Sequence, residues 1–167
     1  MTKATGPLFQ VHFRRRREGR TDYQKRLSLL KSGKPRLVVR KTNRYVIVQL
    51  VEFLPQGDHV IASATSKDLQ QFNFTGKCNT PSAYLTGLLV GTRAKAKGVK
   101  DFVLDIGLHS PTQGSLVFAG LKGAVDAGLS APHSAERFPD ETRVHGEHLK
   151  QKEAVLSARQ KILGGAS

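Results

Sequence analysis

Arg36-Leu37-Val38-Val39-Arg40-Lys41-Thr42-Asn43-Arg44-Tyr45-Val46-Ile47-Val48-Gln49-Leu50-Val51-Glu52-Phe53 reads as two β-strands joined by a turn. Val, Ile and Leu crowd residues 36–41 and 44–53, and Thr42-Asn43 supplies turn chemistry between them. In the second run Tyr45, Ile47, Gln49, Val51 and Phe53 share one face, while Arg44, Val46, Val48, Leu50 and Glu52 share the other. Both faces are apolar at the centre, which predicts helices over at least part of each. Leu54-Pro55-Gln56-Gly57-Asp58 is a second turn, and residues 59–65 form a third run. Connections this short favour an antiparallel meander.

Beyond the meander the period changes. Thr80 as cap and Pro81 at the first helical position open a helix that reaches Lys97, where Gly98 closes it. Phe102-Val103-Leu104-Asp105-Ile106 is a short, buried-type strand. Residues 107–115 form a Gly/Ser/Thr/Pro loop, and residues 116–127 a second helix ended by Gly128. Three strands, helix, strand, helix predicts an α/β chain with a mixed sheet and helices packed on it. Upstream, Thr21 and Gln24 read as a capping box for a helix over 22–32, with Tyr23, Leu27 and Leu30 on one face. After Leu129 the pattern dissolves into a loop, then a sparse stripe of Val144, Leu149, Val155, Leu156, Ile162 and Leu163. That tail is expected to dock on a partner or stay partly disordered. The expected division is a basic arm (1–20), a globular body (21–130) and a loop with helical tail (131–167).

Charge is distributed unevenly over the 167 residues. Residues 1–50 hold 14 Lys+Arg against 2 Asp+Glu, residues 51–143 hold 9 against 9, and the whole chain is +14. An excess gathered at one end, beside a neutral body, points to a polyanion partner. The run Arg14-Arg15-Arg16-Arg17, with Arg20 and Arg26, suits phosphate because guanidinium binds it bidentately and is weakly hydrated. Arg36, Arg40, Lys41 and Arg44 continue the basic set into the body, which a simple membrane tether or targeting arm would not need. Thr42, Asn43 and Tyr45 add hydroxyl, amide and aromatic groups at a hairpin tip, a combination that can enter a groove or stack an unpaired base. No apolar run reaches the ~18–20 residues of a membrane span. Residues 1–7 lack an apolar signal core, and the single Cys78 excludes an internal disulfide, as in a reducing cytosol.

Catalytic patterns are thin. The 107–115 loop lies between strand and helix but lacks the Gly-Lys-Ser/Thr ending of a phosphate loop. Asp101 and Asp105 bracket a strand and would share a face, the one feature that fits the alternative of a metal-dependent nucleic-acid enzyme on a ribonuclease-H-like body. No motif ties them to further carboxylates, and the histidines are scattered. The expectation is no enzyme, no metal and no cofactor.

Several stretches closely resemble the archaeal-type L-eighteen family of large-subunit ribosomal proteins. They are Phe13-Arg14-Arg15-Arg16-Arg17-Glu18-Gly19-Arg20-Thr21-Asp22-Tyr23, Lys34-Pro35-Arg36-Leu37-Val38-Val39-Arg40-Lys41-Thr42-Asn43, Pro81-Ser82-Ala83-Tyr84-Leu85-Thr86-Gly87 and Val103-Leu104-Asp105-Ile106-Gly107-Leu108. Ser110-Pro111-Thr112 with Gly114-Ser115, and Arg137-Phe138-Pro139-Asp140-Glu141 running on to Gly146-Glu147-His148, extend the likeness over about residues 6–149. The resemblance implies a mixed sheet of the translation-machinery type and a structural role in the cytoplasmic ribosome. Its implied partners are 5S rRNA, large-subunit rRNA and neighbouring large-subunit ribosomal proteins, with no membrane. Carried over by position, Arg14, Arg15, Arg16, Arg17, Arg20, Tyr23 and Arg26 would form the main RNA-contacting set. Arg40, Lys41, Thr42, Asn43, Arg44 and Tyr45 match an RNA-facing strand and turn, and Ser110, Thr112 and Gly114 a loop near RNA.

Overall fold

The computed structural model describes residues 6–164, so the first five residues of the expected arm and the last three of the tail lie outside the described residues. Along the chain come α1 (Arg14–Arg17), α2 (Tyr23–Leu30), β1 (Arg36–Lys41), β2 (Val46–Leu54), β3 (Gly57–Thr65), α3 (Thr80–Ala96), β4 (Val103–Asp105), α4 (Leu116–Asp126), α5 (Glu141–Val144) and α6 (Lys152–Gly164). The sheet order is β3-β2-β1-β4. The first three strands form the expected antiparallel meander, and β4 adds parallel to β1 with Leu37 opposite Leu104. β2 begins at Val46 rather than Arg44, because Thr42-Asn43-Arg44-Tyr45 is consumed by the turn. Between Leu50/Val51 and Ala62/Val60 the register shifts by one residue, leaving Ile61 as the extra residue of a β-bulge.

Both long helices lie on one face of the sheet, against buried Leu37, Val39, Val48, Leu50, Ala62 and Ala64. α3 carries the chain from the β3 edge to β4 at the other edge, and α4 returns beside it, so neither is free to cover the second face. The expectation of helices over at least part of each face is met unevenly: on the second face only the short α2 is tied down, through Arg26 to Asp58. On the opposite side Arg36 and Val51 are buried, Val38, Ile47 and Gln49 are half-buried, and Phe53 and Val60 are exposed.

α3 and α4 approach closely because glycine lines the seam. A Cβ at Gly87 would lie 2.0 Å from the Gly120 carbonyl oxygen, and one at Gly123 2.1 Å from that of Tyr84. From Thr80 to Gly91 α3 is buried on every side, since the sheet, α4 and α6 all pack against it. Its cap is Asn79, whose side chain accepts from the Ser82 amide at 3.0 Å, one residue earlier than the expected Thr80. Near its C-terminus Arg93 donates to the Ser63 carbonyl at 2.6 Å, and Lys97 donates to that of Ile61. Both carbonyls belong to the sheet's edge strand, β3.

The tail folds back onto its own body. Val144, Val155, Ala158 and Ile162 are buried in the same core as α3, so the core runs on past residue 130. A sparse stripe suffices because α3 offers an apolar surface to receive it. At the other end the helix differs from expectation. Asp22, not Thr21, caps α2 by accepting from the Gln24 and Lys25 amides at 3.0 and 3.1 Å. α2 buries no residue, and Leu27 is 56% exposed.

Gly87→Ala is expected to cost about 1–3 kcal/mol by overpacking. Gly120→Ala, whose Cβ would sit 3.6 Å from Val39, is expected to be neutral or to gain up to about 1 kcal/mol of helix propensity. Urea unfolding followed by circular dichroism distinguishes the two. The same measurement on Ile162→Ala should show a loss of about 2–5 kcal/mol. An unchanged midpoint would mean that α6 is not part of the cooperative unit.

Candidate nucleic-acid interface

The arm is a preset turn. The Phe13 carbonyl accepts from the Arg16 and Arg17 amides at 2.9 and 3.0 Å, and Gly19 reverses the chain at φ +63°. Glu18 is shared by two guanidinium groups, Arg14 at 2.8 Å and Arg20 at 3.0 Å. Arg15 donates to the Thr21 hydroxyl at 2.8 Å, which explains why Thr21 does not cap α2. Arg16 and Arg17 are exposed and pair with no carboxylate among the described residues. Tyr23 lies beside Phe13, with ring centroids 6.0 Å apart.

Behind the arm runs a chain of ion pairs on the face without long helices. Arg26 grips Asp58 with one nitrogen at 3.0 and 2.9 Å from its two oxygens. Arg36 reaches over β2 to Asp58 at 2.8 Å and also holds Asp105 at 2.8 Å. Arg40 completes the chain, donating to the other Asp105 oxygen at 2.8 Å and to the Asp105 carbonyl at 2.7 Å. The expectation of Arg36 in a surface basic set is corrected: it is only 2% exposed and serves the interior instead. The period-2 pattern carries a signal for this, because Arg36, Val38 and Arg40 occupy one face of β1. Nothing in the sequence pattern marks Asp58 as their partner.

Asp105 therefore stands as a counter-ion. Burial pushes its carboxyl up, but the hydrogen bond and charge of Arg40, the Gly107 amide and the charge of Arg36 together hold it below the ordinary range. Gly107 adopts φ +63°, and a Cβ there would meet the Arg40 guanidinium carbon at 2.8 Å, so glycine makes room for the cation. Asp101 pairs with Lys34 at 3.4 Å and does not converge with Asp105. No group of three metal-ligating side chains occurs among the described residues.

The far end of β1 carries the second basic surface. Thr42 closes the turn: its hydroxyl donates to the Tyr45 carbonyl at 2.9 Å and accepts from the Tyr45 amide at 2.9 Å. Lys41, Asn43, Arg44 and Tyr45 are left exposed at the tip. The strand-to-helix loop leaves β4 on the same side, with Gly107 against the Arg40 guanidinium; burial first, then the charges of Lys41 and Arg40, lower the His109 pKa. Ser110 and Thr112 are exposed there. Gly114, at φ +67°, donates to the Arg137 carbonyl at 3.1 Å, while Arg137 donates back to that of Pro111 at 2.6 Å. The sites expected at 40–45 and 110–114 thus lie toward the same end of the sheet. The arm is anchored through Arg26 at the other.

The sequence pattern of the family described as "Ribosomal large subunit proteins 60S L5, and 50S L18" matches residues 8–102 and 94–134. The chain belongs to this family. Relatives named large ribosomal subunit protein uL18 agree with it. The one from Haloarcula marismortui is 54% identical over 154 residues, covering 92% of this chain and 82% of the relative. That from Korarchaeum cryptofilum is 56% identical over 142 residues, covering 84% and 73%. That from Caldivirga maquilingensis is 54% identical over 155 residues, covering 92% and 75%. The chain is thus an archaeal-type member of a family of large-subunit ribosomal proteins, and no helix among its described residues is long and apolar enough to cross a membrane.

Asp105→Asn is expected to cost about 1–3 kcal/mol at pH 7, because buried Arg36 loses one of its two carboxylates and keeps only Asp58. The Asp105 pKa is lower folded than unfolded, so its contribution is fully present above about pH 5 and is lost as pH falls through the folded value. Stability measured from pH 7 to pH 2 should fall less steeply in the variant than in the parent.

Proposed function

We propose that the protein is a structural component of the large ribosomal subunit that binds 5S rRNA and helps fasten it to the large rRNA in the central protuberance. The observation that carries this reading is the arm: six arginines between residues 14 and 26 stand against two carboxylates in the same span, Glu18 and Asp22. Arg16 and Arg17 form no ion pair among the described residues, so their charge is available to neutralise phosphate. Arg14 and Arg20 share one carboxylate and keep most of their surface exposed, leaving donors for a second acceptor.

Lys41, Asn43, Arg44 and Tyr45 form the second RNA-facing surface, with Ser110, Thr112 and Gly114 beside it. Arg26, Arg40 and Thr42 act mainly by holding these surfaces in place, because their polar atoms are already engaged. Two basic surfaces at opposite ends of one rigid sheet suit a protein that clamps two RNA segments. Large-subunit rRNA and neighbouring ribosomal proteins are the remaining partners, in the cytoplasmic ribosome.

If about ten phosphates are neutralised, affinity for 5S rRNA should fall by roughly three to five orders of magnitude between 50 and 200 mM salt. Arg16→Ala with Arg17→Ala should weaken binding with the unfolding midpoint unchanged. The slope of log affinity against log salt should drop by about 1 for each phosphate no longer neutralised. A salt-independent affinity, or a footprint on naked 5S rRNA that is identical without residues 1–20, would refute the assignment.

A further inference from the structure

Exposed large apolar side chains are concentrated in the arm: Leu8 at 93%, Phe13 at 76% and Val11 at 66% exposure. Phe13 stands apart from the other two, because its position is set by structure rather than left to a loose chain. Its carbonyl closes the arginine turn, and the Arg15–Thr21 hydrogen bond pins the loop that brings Tyr23 within 6.0 Å. The two rings are tilted by 48°, so they do not cover each other, and Tyr23 is itself 37% exposed. The ring pair therefore offers open aromatic surface to a partner.

The surroundings decide the chemistry of that partner. Between Phe13 and Tyr23 in the chain come Arg14, Arg15, Arg16, Arg17 and Arg20, all exposed, and the carboxylates of the same segment are already used. Glu18 is taken by two arginines, and Asp22 caps α2 and lies 3.8 Å from Lys25. An apolar protein face would cover the rings but leave the guanidinium groups without counter-charge. A phosphate chain alone would do the reverse. An unpaired nucleotide supplies both, a planar base for the ring and phosphates on either side for the arginines. Duplex RNA does not, because its base faces are already stacked.

We infer that Phe13 and Tyr23 form a stacking site for an unpaired RNA base, held between arginines that take the flanking phosphates. This rests on the RNA-binding reading given above and adds to it a preference for looped or bulged RNA over continuous duplex.

The test compares two RNA hairpins of equal length and charge, one fully paired and one carrying an unpaired purine, at a fixed salt concentration. The parent protein should prefer the bulged RNA by about five- to one-hundred-fold, the magnitude of one base–aromatic stack. Phe13→Leu keeps apolar bulk and removes the ring, so it should abolish that preference while leaving the salt slope unchanged. The chain has no Trp and three Tyr, and Tyr84 is buried. In a Tyr45→Phe background, bulged RNA should therefore quench the Tyr23 emission. Equal affinity of the parent for both RNAs, a preference that survives in Phe13→Leu, or an absence of quenching overturns the stacking site while leaving RNA binding intact. Failure of the parent to bind either RNA overturns the RNA-binding reading as well.

Discussion

The pairing of Arg36 with Asp58 and Asp105 is the constraint on which the arrangement rests. A guanidinium group sealed inside a sheet is tolerable only if its charge is met, and here two carboxylates from different strands meet it. Asp58 belongs to β3 and Asp105 to β4, so Arg36 ties the two edges of the sheet together across β1 and β2. Each carboxylate also holds a second arginine, Arg26 from α2 and Arg40 near the hairpin tip. The interior chain thereby sets where both surface clusters stand. Cations that look equivalent in composition have separated into those that build and those left exposed.

That separation explains why the sequence is readable at one level and opaque at the next. The meander, the two long helices and the short fourth strand follow from periodicity and from turn residues, which are local. The expected cap of α2 is displaced by one residue because Thr21 and Asp22 both have capping side chains. Only tertiary structure shows that Arg15 already occupies the Thr21 hydroxyl. The second face is covered only in part, and half-buried Val38 and Ile47 read like full core in a one-dimensional pattern. Which face a helix takes depends on the path of the chain between edges.

The proposed binding surfaces are legible as charge and illegible as geometry. The arginine run and the 40–45 turn announce themselves in composition, whereas the burial of Arg36 depends on Asp58, distant in sequence and read there as part of an ordinary turn although it opens β3. The family likeness supplies the positions, and the structure sorts them by what their polar atoms are already doing. Thr42, for instance, uses its hydroxyl to close the turn that presents Asn43 and Arg44.

The side chains of Arg93 and Lys97 on the β3 carbonyls bear on the life of the molecule before assembly. A sheet margin with open carbonyls is a template for another chain, and a strongly basic protein awaiting its RNA would be exposed to that hazard. Here the margin is closed from within by two long cations, beside carbonyls that a docking strand would otherwise use. Copies made in excess of their nucleic acid thus have little purchase for stacking edge to edge, and their surplus charge keeps them apart in solution.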